Sequence, residues 1–260
     1  MSLSLQVLLP LSNHNLSILH AVIESIACAV GYQYYKALRQ SQGDVITLPS
    51  RHWIILAAAI GAVLGSRIPG LLEWHTTLPA GFCATRKTIV GGLIGAWLSV
   101  ELAKVILKIR TSTGDLFVLP LIIAMIIGRV GCFLAGRVDG TFGVASTLPW
   151  SIDFGDGVPR HPTQIYELLF LFCLFALLRK GFWFKLRNGL QFRIFLFSYL
   201  MFRLIIDFWK PLLRFHQLSA TQWAALLGIS LLIFPGVFHH ARSRLRFLRY
   251  GYKYLFRMSP

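Results

Sequence analysis

The chain has 260 residues, 55% of them apolar and only 14% charged, with a formal net charge of +16. A soluble domain of this length carries roughly a quarter charged residues. Here charge is scarce and the apolar residues come in long blocks, which excludes an ordinary soluble domain and indicates an all-α polytopic membrane protein.

A helix needs about 20 apolar residues to cross the hydrocarbon. Blocks bounded by charge, Pro and Gly predict seven spans, at 17–35, 53–70, 88–107, 116–135, 164–178, 190–209 and 221–239. The fifth is short and contains Glu167, which leaves a re-entrant or tilted segment as its alternative. Residues 1–16 contain no Lys or Arg, so the first span is expected to serve as its own insertion signal and not as a cleavable leader.

Between the spans, basic residues alternate in density. Lys36, Arg39 and Arg51, then Lys104, Lys108 and Arg110, then Arg179, Lys180, Lys185 and Arg187 lie on one side. The tail adds Arg242, Arg244, Arg246, Arg249, Lys253 and Arg257 to that side, making sixteen. The other side has six: Arg86, Lys87, Arg137, Arg160, Lys210 and Arg214. Basic loops stay in the cytoplasm, so the N-terminus is expected outside and the C-terminus inside. This explains most of the +16 as topology, and nucleic acid is not needed as a partner.

In the tail 240–260, Arg242, Arg246, Arg249, Lys253 and Arg257 form one helical stripe, and Leu245, Leu248, Tyr252 and Leu255 another. That pattern suits a helix resting on anionic membrane lipids. Without internal repeats or a low-complexity linker, residues 1–260 read as one integral membrane domain with an external loop at 136–162. The loop's LPWSIDFGDG stretch suits an ordered segment resting at the interface with Trp150 as anchor, a mobile lid being the alternative. Cys28, Cys83, Cys132 and Cys173 are isolated, with no CxxC and no metal-ligand spacing, so neither a disulfide nor a metal site is expected.

An ionisable residue inside a span costs about 2.5–3.5 kcal/mol on insertion scales, so it faces a cavity or a partner. With the N-terminus outside, Glu24, Arg67, Arg129, Glu167, Arg203 and Asp207 all fall within roughly 3–11 Å of the outer boundary. Arg203 and Asp207, four apart, suit a structural pair. The whole set suits a polar cavity open to the outer leaflet. Glu101 lies in the inner half of the third span, where Lys104 or Lys108 could pair with it. Arg193 at the inner end of the sixth is expected to snorkel. Arginine binds phosphate oxygens bidentately, and glycine lets backbone approach a headgroup and turn sharply where a helix ends. The residues therefore predict an outer-leaflet site for an anionic headgroup, leaving binding, transport and chemistry open.

The stretch GRVGCFLAGRVDGTFG at 128–143, followed by LPWSIDFGDGVPRHPTQIYE at 148–167, resembles the prolipoprotein diacylglyceryl transferase family, whose motifs run GRxGNFxNxExxG and RHPxQxYE. VGGLIG at 90–95 is similar to that family's HGGLIG, and Arg203 with Asp207 to its Arg and acid four apart. The resemblance covers about residues 18–240. It implies seven spans with the N-terminus outside the bacterial plasma membrane. It also implies transfer of the diacylglyceryl group of phosphatidylglycerol to the thiol of a prolipoprotein lipobox cysteine, releasing glycerol phosphate, with no metal or cofactor.

By the same resemblance Gly128, Arg129, Gly131, Gly136, Gly140, Gln164, Tyr166, Glu167 and Asp207 belong to the substrate site, with Arg203 and His161 in catalysis. Arg67 joins the substrate site by its depth. The chain departs from the motifs at Val90, Cys132, Ala135 and Arg137, which replace a His, two Asn and a Glu, and at Glu24, where the loosely aligned family residue is Tyr. With Val90 in place, His161 and Glu24 are the candidate bases, since burial in a span favours a carboxyl as proton acceptor. Glu24 could instead be a counter-ion to Arg129 or Arg203, and His161 could order the loop. Cys132 reads as a small apolar filler or, less in keeping with an isolated cysteine, a nucleophile. The rival functions are a non-catalytic lipid- or lipoprotein-binding member and a small-anion transporter, the latter disfavoured by the apolar inner halves of the spans.

Overall fold

A computed structural model of the protein describes residues 3–4, 12–43, 48–72, 87–109, 111–179 and 189–234. Among them are seven α-helices: α1 (Asn13–Gln42), α2 (Leu48–Leu72), α3 (Ile89–Ile106), α4 (Asp115–Ala135), α5 (Thr163–Arg179), α6 (Leu190–Ile206) and α7 (Ala220–Ile233). Each falls on one of the seven apolar blocks. The helices Asn13–Gln42, Ser50–Leu71, Ile89–Ile106 and Asp115–Ala135 are long and apolar enough to cross a membrane. The basic tail and Cys83 lie outside the described residues, as do most of the loop residues between α2 and α3 and between α5 and α6.

Helix ends follow local chemistry. Ser12, Thr88 and Ser219 cap α1, α3 and α7 with side-chain oxygens that accept the N–H of Asn15, Gly91 and Gln222. Small residues set how closely the helices approach. α2 runs along α3 through Gly61, Gly65, Gly91 and Gly95, where a methyl on any of the four would overlap a backbone carbonyl of the partner helix. Without a hydrophobic drive between spans, such close backbone contact is what holds membrane helices together. α1 packs along α4, α4 against α5, and α6 against α7.

The core lies between α3, α4, α5, α6 and α7, where Val90, Ile122, Leu171, Phe195, Leu200 and Ala225 are wholly enclosed. Outward-facing Trp53, Leu64, Ile106, Leu169, Phe172 and Leu227 are each more than half exposed, as expected of helix faces that meet lipid. At the inner charges, Lys104 Nζ bonds Glu101 at 2.8 Å, the pairing anticipated from sequence. Arg193 does more than snorkel: its Nη2 donates to the Leu232 carbonyl at 2.7 Å, satisfying an end of α7.

The loop 136–162 is held at one end of the bundle. β1 (Leu3–Ser4) pairs parallel with β2 (Ile152–Asp153), which pairs antiparallel with β3 (Pro159–Arg160). The chain start and this loop therefore share one end of the bundle. Asp153 Oδ1 accepts the N–H groups of Gly155, Asp156 and Gly157. Arg160 Nη1 donates to Asp156 at 2.6 Å, and that bond holds the Asp156 carboxyl below the usual aspartate range. A second pair, β4 (Arg214–Phe215) with β5 (Leu218–Ser219), leads into α7.

Candidate active site

The site begins where α4 stops. Gly136 adopts φ 58° and its N–H closes onto the carbonyls of Cys132 and Phe133, so the chain turns at the residue that α4 could not continue through. Gly140, with φ 67°, ends the turn, which brings Asp139 back over the helix end. Gly131 lets α1 close on α4, since an added Cβ there would lie 2.9 Å from Ile23 Cγ2 and 3.4 Å from His20 Cδ2. Further along the same contact, Gly31 of α1 meets Pro120 and Ala124 of α4. The two helices therefore run antiparallel, and their register puts Glu24 level with Gly128. A Cβ on Gly128 would meet nothing within 4 Å, so space is open at that level.

Behind α4 lies a buried ionic network. Arg129 is 4% exposed, and its Nε lies 2.9 Å from Glu167 Oε1, an ion pair whose angle falls short of a hydrogen bond. Tyr199 donates its hydroxyl to the same Oε1 at 2.7 Å. Arg203 grips Asp207 with Nε and Nη2 at 3.1 and 3.2 Å, and Lys210 Nζ stands 3.7 Å from Asp207 Oδ1. Burial pushes the Lys210 ammonium down to about 8, Arg203 acting in the same direction and Asp207 against it. Among the described residues, this network sets three cations against two carboxylates, a surplus of one positive charge. Both amide atoms of Gln164 and Oε2 of Glu167 are buried without a hydrogen-bond partner. Such orphans cost about 1–3 kcal/mol each unless a ligand or water completes them.

On the other side of Arg129, its Nη1 points at Cys132 Sγ, 3.7 Å away. Cys132 Sγ lies 3.6 Å from His20 Nε2, which in turn is 3.5 Å from Asp139 Oδ1 and 3.8 Å from Glu24 Oε1. Outside this group, His161 is built into the loop. Its backbone exchanges bonds with Gly143 and Val144, and its Nδ1 lies 3.2 Å from the Tyr166 hydroxyl, which also accepts from Trp150 Nε1 at 2.8 Å. The clasp of Trp150, Tyr166 and His161 fixes the loop to the first turn of α5.

A protein-family model described as "Prolipoprotein diacylglyceryl transferase" matches residues 7–237. The chain belongs to this family. Curated relatives named phosphatidylglycerol–prolipoprotein diacylglyceryl transferase include that of Bordetella avium (strain 197N), 32% identical over 209 residues, 73% of this chain and 77% of the relative. That of Bordetella bronchiseptica (strain ATCC BAA-588 / NCTC 13252 / RB50) is 28% identical over 84% of this chain and 87% of its own. That of Coxiella burnetii (strain Dugway 5J108-111) is 27% identical over 72% and 79%.

Of the residues expected to form the site, this member of the diacylglyceryl transferase family brings Arg129, Glu167, Arg203 and Asp207 into one buried network, with Gln164 enclosed one turn before Glu167 on α5. Gly128, Gly131, Gly136 and Gly140 open, close or turn the chain around it. Arg67 lies exposed on α2, whose main packing partner is α3. The Glu24 side chain is 58% exposed and stands outside the buried network. Nor is Glu24 the counter-ion of Arg129 or Arg203, which pair with Glu167 and Asp207; its neighbour is His20. Sequence reasoning missed Tyr199, Lys210, His20 and Asp139. Of these His20 carried a legible signal, standing four before Glu24 on one helix.

Proposed function

We propose that the protein transfers the diacylglyceryl group of phosphatidylglycerol to the thiol of a prolipoprotein lipobox cysteine, at the outer face of the bacterial plasma membrane, releasing glycerol phosphate. The carrying observation is the unmatched positive charge of the Arg129–Glu167–Arg203–Asp207–Lys210 network, buried beside open space at Gly128. A cation surplus enclosed by protein is costly, and an anionic headgroup balances it.

In this reading Arg129 and Arg203 hold the phosphate and stabilise the charge that grows on it as the carbon–oxygen bond breaks. The unpartnered Gln164 amide and Glu167 Oε2 take the hydroxyls of the headgroup glycerol. Gly128 leaves room for the lipid, and the Trp150–Tyr166–His161 clasp positions the loop over the entrance. His161, tied to Tyr166, acts in placing substrate or in proton transfer through the phenol. Glu24, more than half exposed beside His20, is reachable by an incoming thiol. Seven spans with the N-terminus outside agree with the chain start and loop 136–162 sharing one end of the bundle. The basic tail 240–260 would rest on anionic lipid of the inner leaflet.

The test is complementation of a strain depleted of its own transferase, with mass analysis of a lipoprotein reporter. Lipidation is expected, and its loss is expected in Arg129→Ala and Arg203→Ala proteins that still insert. An unmodified reporter in the presence of well-expressed protein would overturn the reading. Full activity in both arginine variants would overturn the phosphate assignment.

A further inference from the structure

We propose that His20, Cys132 and Asp139 form a site for a thiophilic divalent cation of the zinc class, whose open position takes the acceptor thiol. The proposal rests on the reading of the protein as a transferase to a cysteine sulfur.

The three donor atoms are spaced closely enough to bind one ion. His20 Nε2, Cys132 Sγ and an oxygen of Asp139 all lie within 4.8 Å of one another. The separations are 3.6 Å for Sγ···Nε2 and 3.5 Å for Nε2···Oδ1. A tetrahedral zinc with ordinary bond lengths to sulfur, nitrogen and oxygen sets these edges at about 3.6 and 3.4 Å. One ring nitrogen faces a sulfur, the Asp139 oxygen and, at 3.8 Å, the Glu24 oxygen, and 3.5 Å is long for an N–H···O bond.

Two donors flank the cluster. Arg129 Nη1 is directed at Cys132 Sγ, and the Thr141 hydroxyl donates to Asp139 Oδ2, leaving Oδ1 turned to His20. Donors of this kind orient metal ligands and raise metal affinity. A thiolate and a carboxylate together neutralise a dication, and Arg129 is itself offset by Glu167. The set is partly accessible, with His20 20% and Asp139 12% exposed, and it borders the open space at Gly128, one turn from Cys132 on the same face of α4. Three protein ligands and one open position is the pattern of catalytic, not structural, zinc.

The chemistry follows. The acceptor thiol binds the cation as thiolate and its proton passes to water at the mouth of the cavity, since a coordinated thiol is deprotonated outright. The sulfur lone pair forms the bond to the glyceryl carbon as the carbon–oxygen bond to phosphate breaks. That electron pair leaves with glycerol phosphate, whose charge Arg129 and Arg203 hold. The thioether product is neutral and a weak ligand, so it departs. Thiol activation would then need no general base.

The test uses the purified full chain in nanodiscs, stripped with chelator and titrated with Co²⁺. One equivalent is expected to bind with a thiolate-to-cobalt charge-transfer absorption. Cys132→Ser should abolish that band, and His20→Ala and Asp139→Asn should each weaken binding by about tenfold or more. A Cys28→Ser, Cys173→Ser double variant should behave as wild type. A peptide carrying the acceptor cysteine should intensify the band, and its serine counterpart should not. Absence of stoichiometric binding, or a band that survives Cys132→Ser, overturns the proposal. So does undiminished lipidation by metal-free protein, which leaves the transfer reading standing. Stoichiometric binding with an unlipidated reporter supports the site and defeats the transfer reading.

Discussion

Glu167→Gln separates the two roles given to the buried network, holding Arg129 in place and attracting an anion. The side chain is fully enclosed and its Oε1 meets both Arg129 Nε and the Tyr199 hydroxyl. Glutamine keeps the shape and an acceptor for Tyr199, so no cavity opens and the change is one of charge. Removing one partner of a buried ion pair costs about 3–5 kcal/mol. The retained Tyr199 bond argues for the lower end, about 3 kcal/mol. At about 2–4 °C per kcal/mol for a chain of this size, the midpoint should fall by roughly 6–12 °C. The network's surplus meanwhile rises from one positive charge to two. Attraction for phosphatidylglycerol should therefore hold or strengthen while Arg129 loses its anchor, so kcat falls and KM does not rise. Thermal unfolding of detergent-purified protein, with and without phosphatidylglycerol, reads both effects, and added lipid should raise the midpoint of the variant more than that of wild type. A midpoint within about 2 °C of wild type, or a KM that climbs as kcat falls, would refute the assignment.

Three further outcomes follow from single features. Gly128→Ala should fold at least as well as wild type, gaining up to about 1 kcal/mol of helix propensity, because the added methyl meets open space. Gly128→Leu should fold but raise KM for the lipid, and unchanged kinetics would show that the space is not the substrate's. Gly95→Val should lower the unfolding midpoint and the folded yield, since it drives a side chain into the Gly61 carbonyl at the α2–α3 contact. Overpacking of this kind costs about 1–3 kcal/mol, and a wild-type midpoint would deny that contact. Lys210, with its ammonium pushed down to about 8, is charged below that pH and loses its proton above it. The KM for phosphatidylglycerol should therefore rise between pH 7 and 9, and Lys210→Met should remove this dependence. The same slope in both proteins would exclude Lys210 as its source.

Much of this architecture could be read from the chain because membrane insertion writes helices as apolar blocks. All seven blocks became helices, and four of the six charges placed at one depth met in one network. Pairwise logic carried the Glu101–Lys104 and Arg203–Asp207 contacts, where partners are a helical turn apart. What the chain did not reveal depends on how distant helices meet. Tyr199 looks like one more aromatic residue in an apolar span until α5 sets Glu167 against it. Glu24 was assigned to the interior by depth alone. Depth along a helix does not fix which side faces the protein, and the Glu24 side chain is more than half exposed.

Cys132 shows the same limit from the opposite direction. Taken singly, it is an isolated cysteine where the family motif has an amide, and a filler is the economical reading. Its meaning depends on His20, 112 residues away, and on Asp139, which reaches it only because Gly136 and Gly140 fold the chain back. Neither residue is a specified position of the motifs quoted for this chain, so comparison with those motifs registers a loss at 132 and not what surrounds it. The departures at 24 and 132 border one imidazole, and the Asp139 carboxylate stands two residues past the position where Arg137 replaces the motif acid. Substitutions that cluster in space around a common atom are better treated as one rearranged site than as independent losses. On that argument His20→Ala should impair the protein as severely as Cys132→Ser, and a fully active His20→Ala protein would break the link between them.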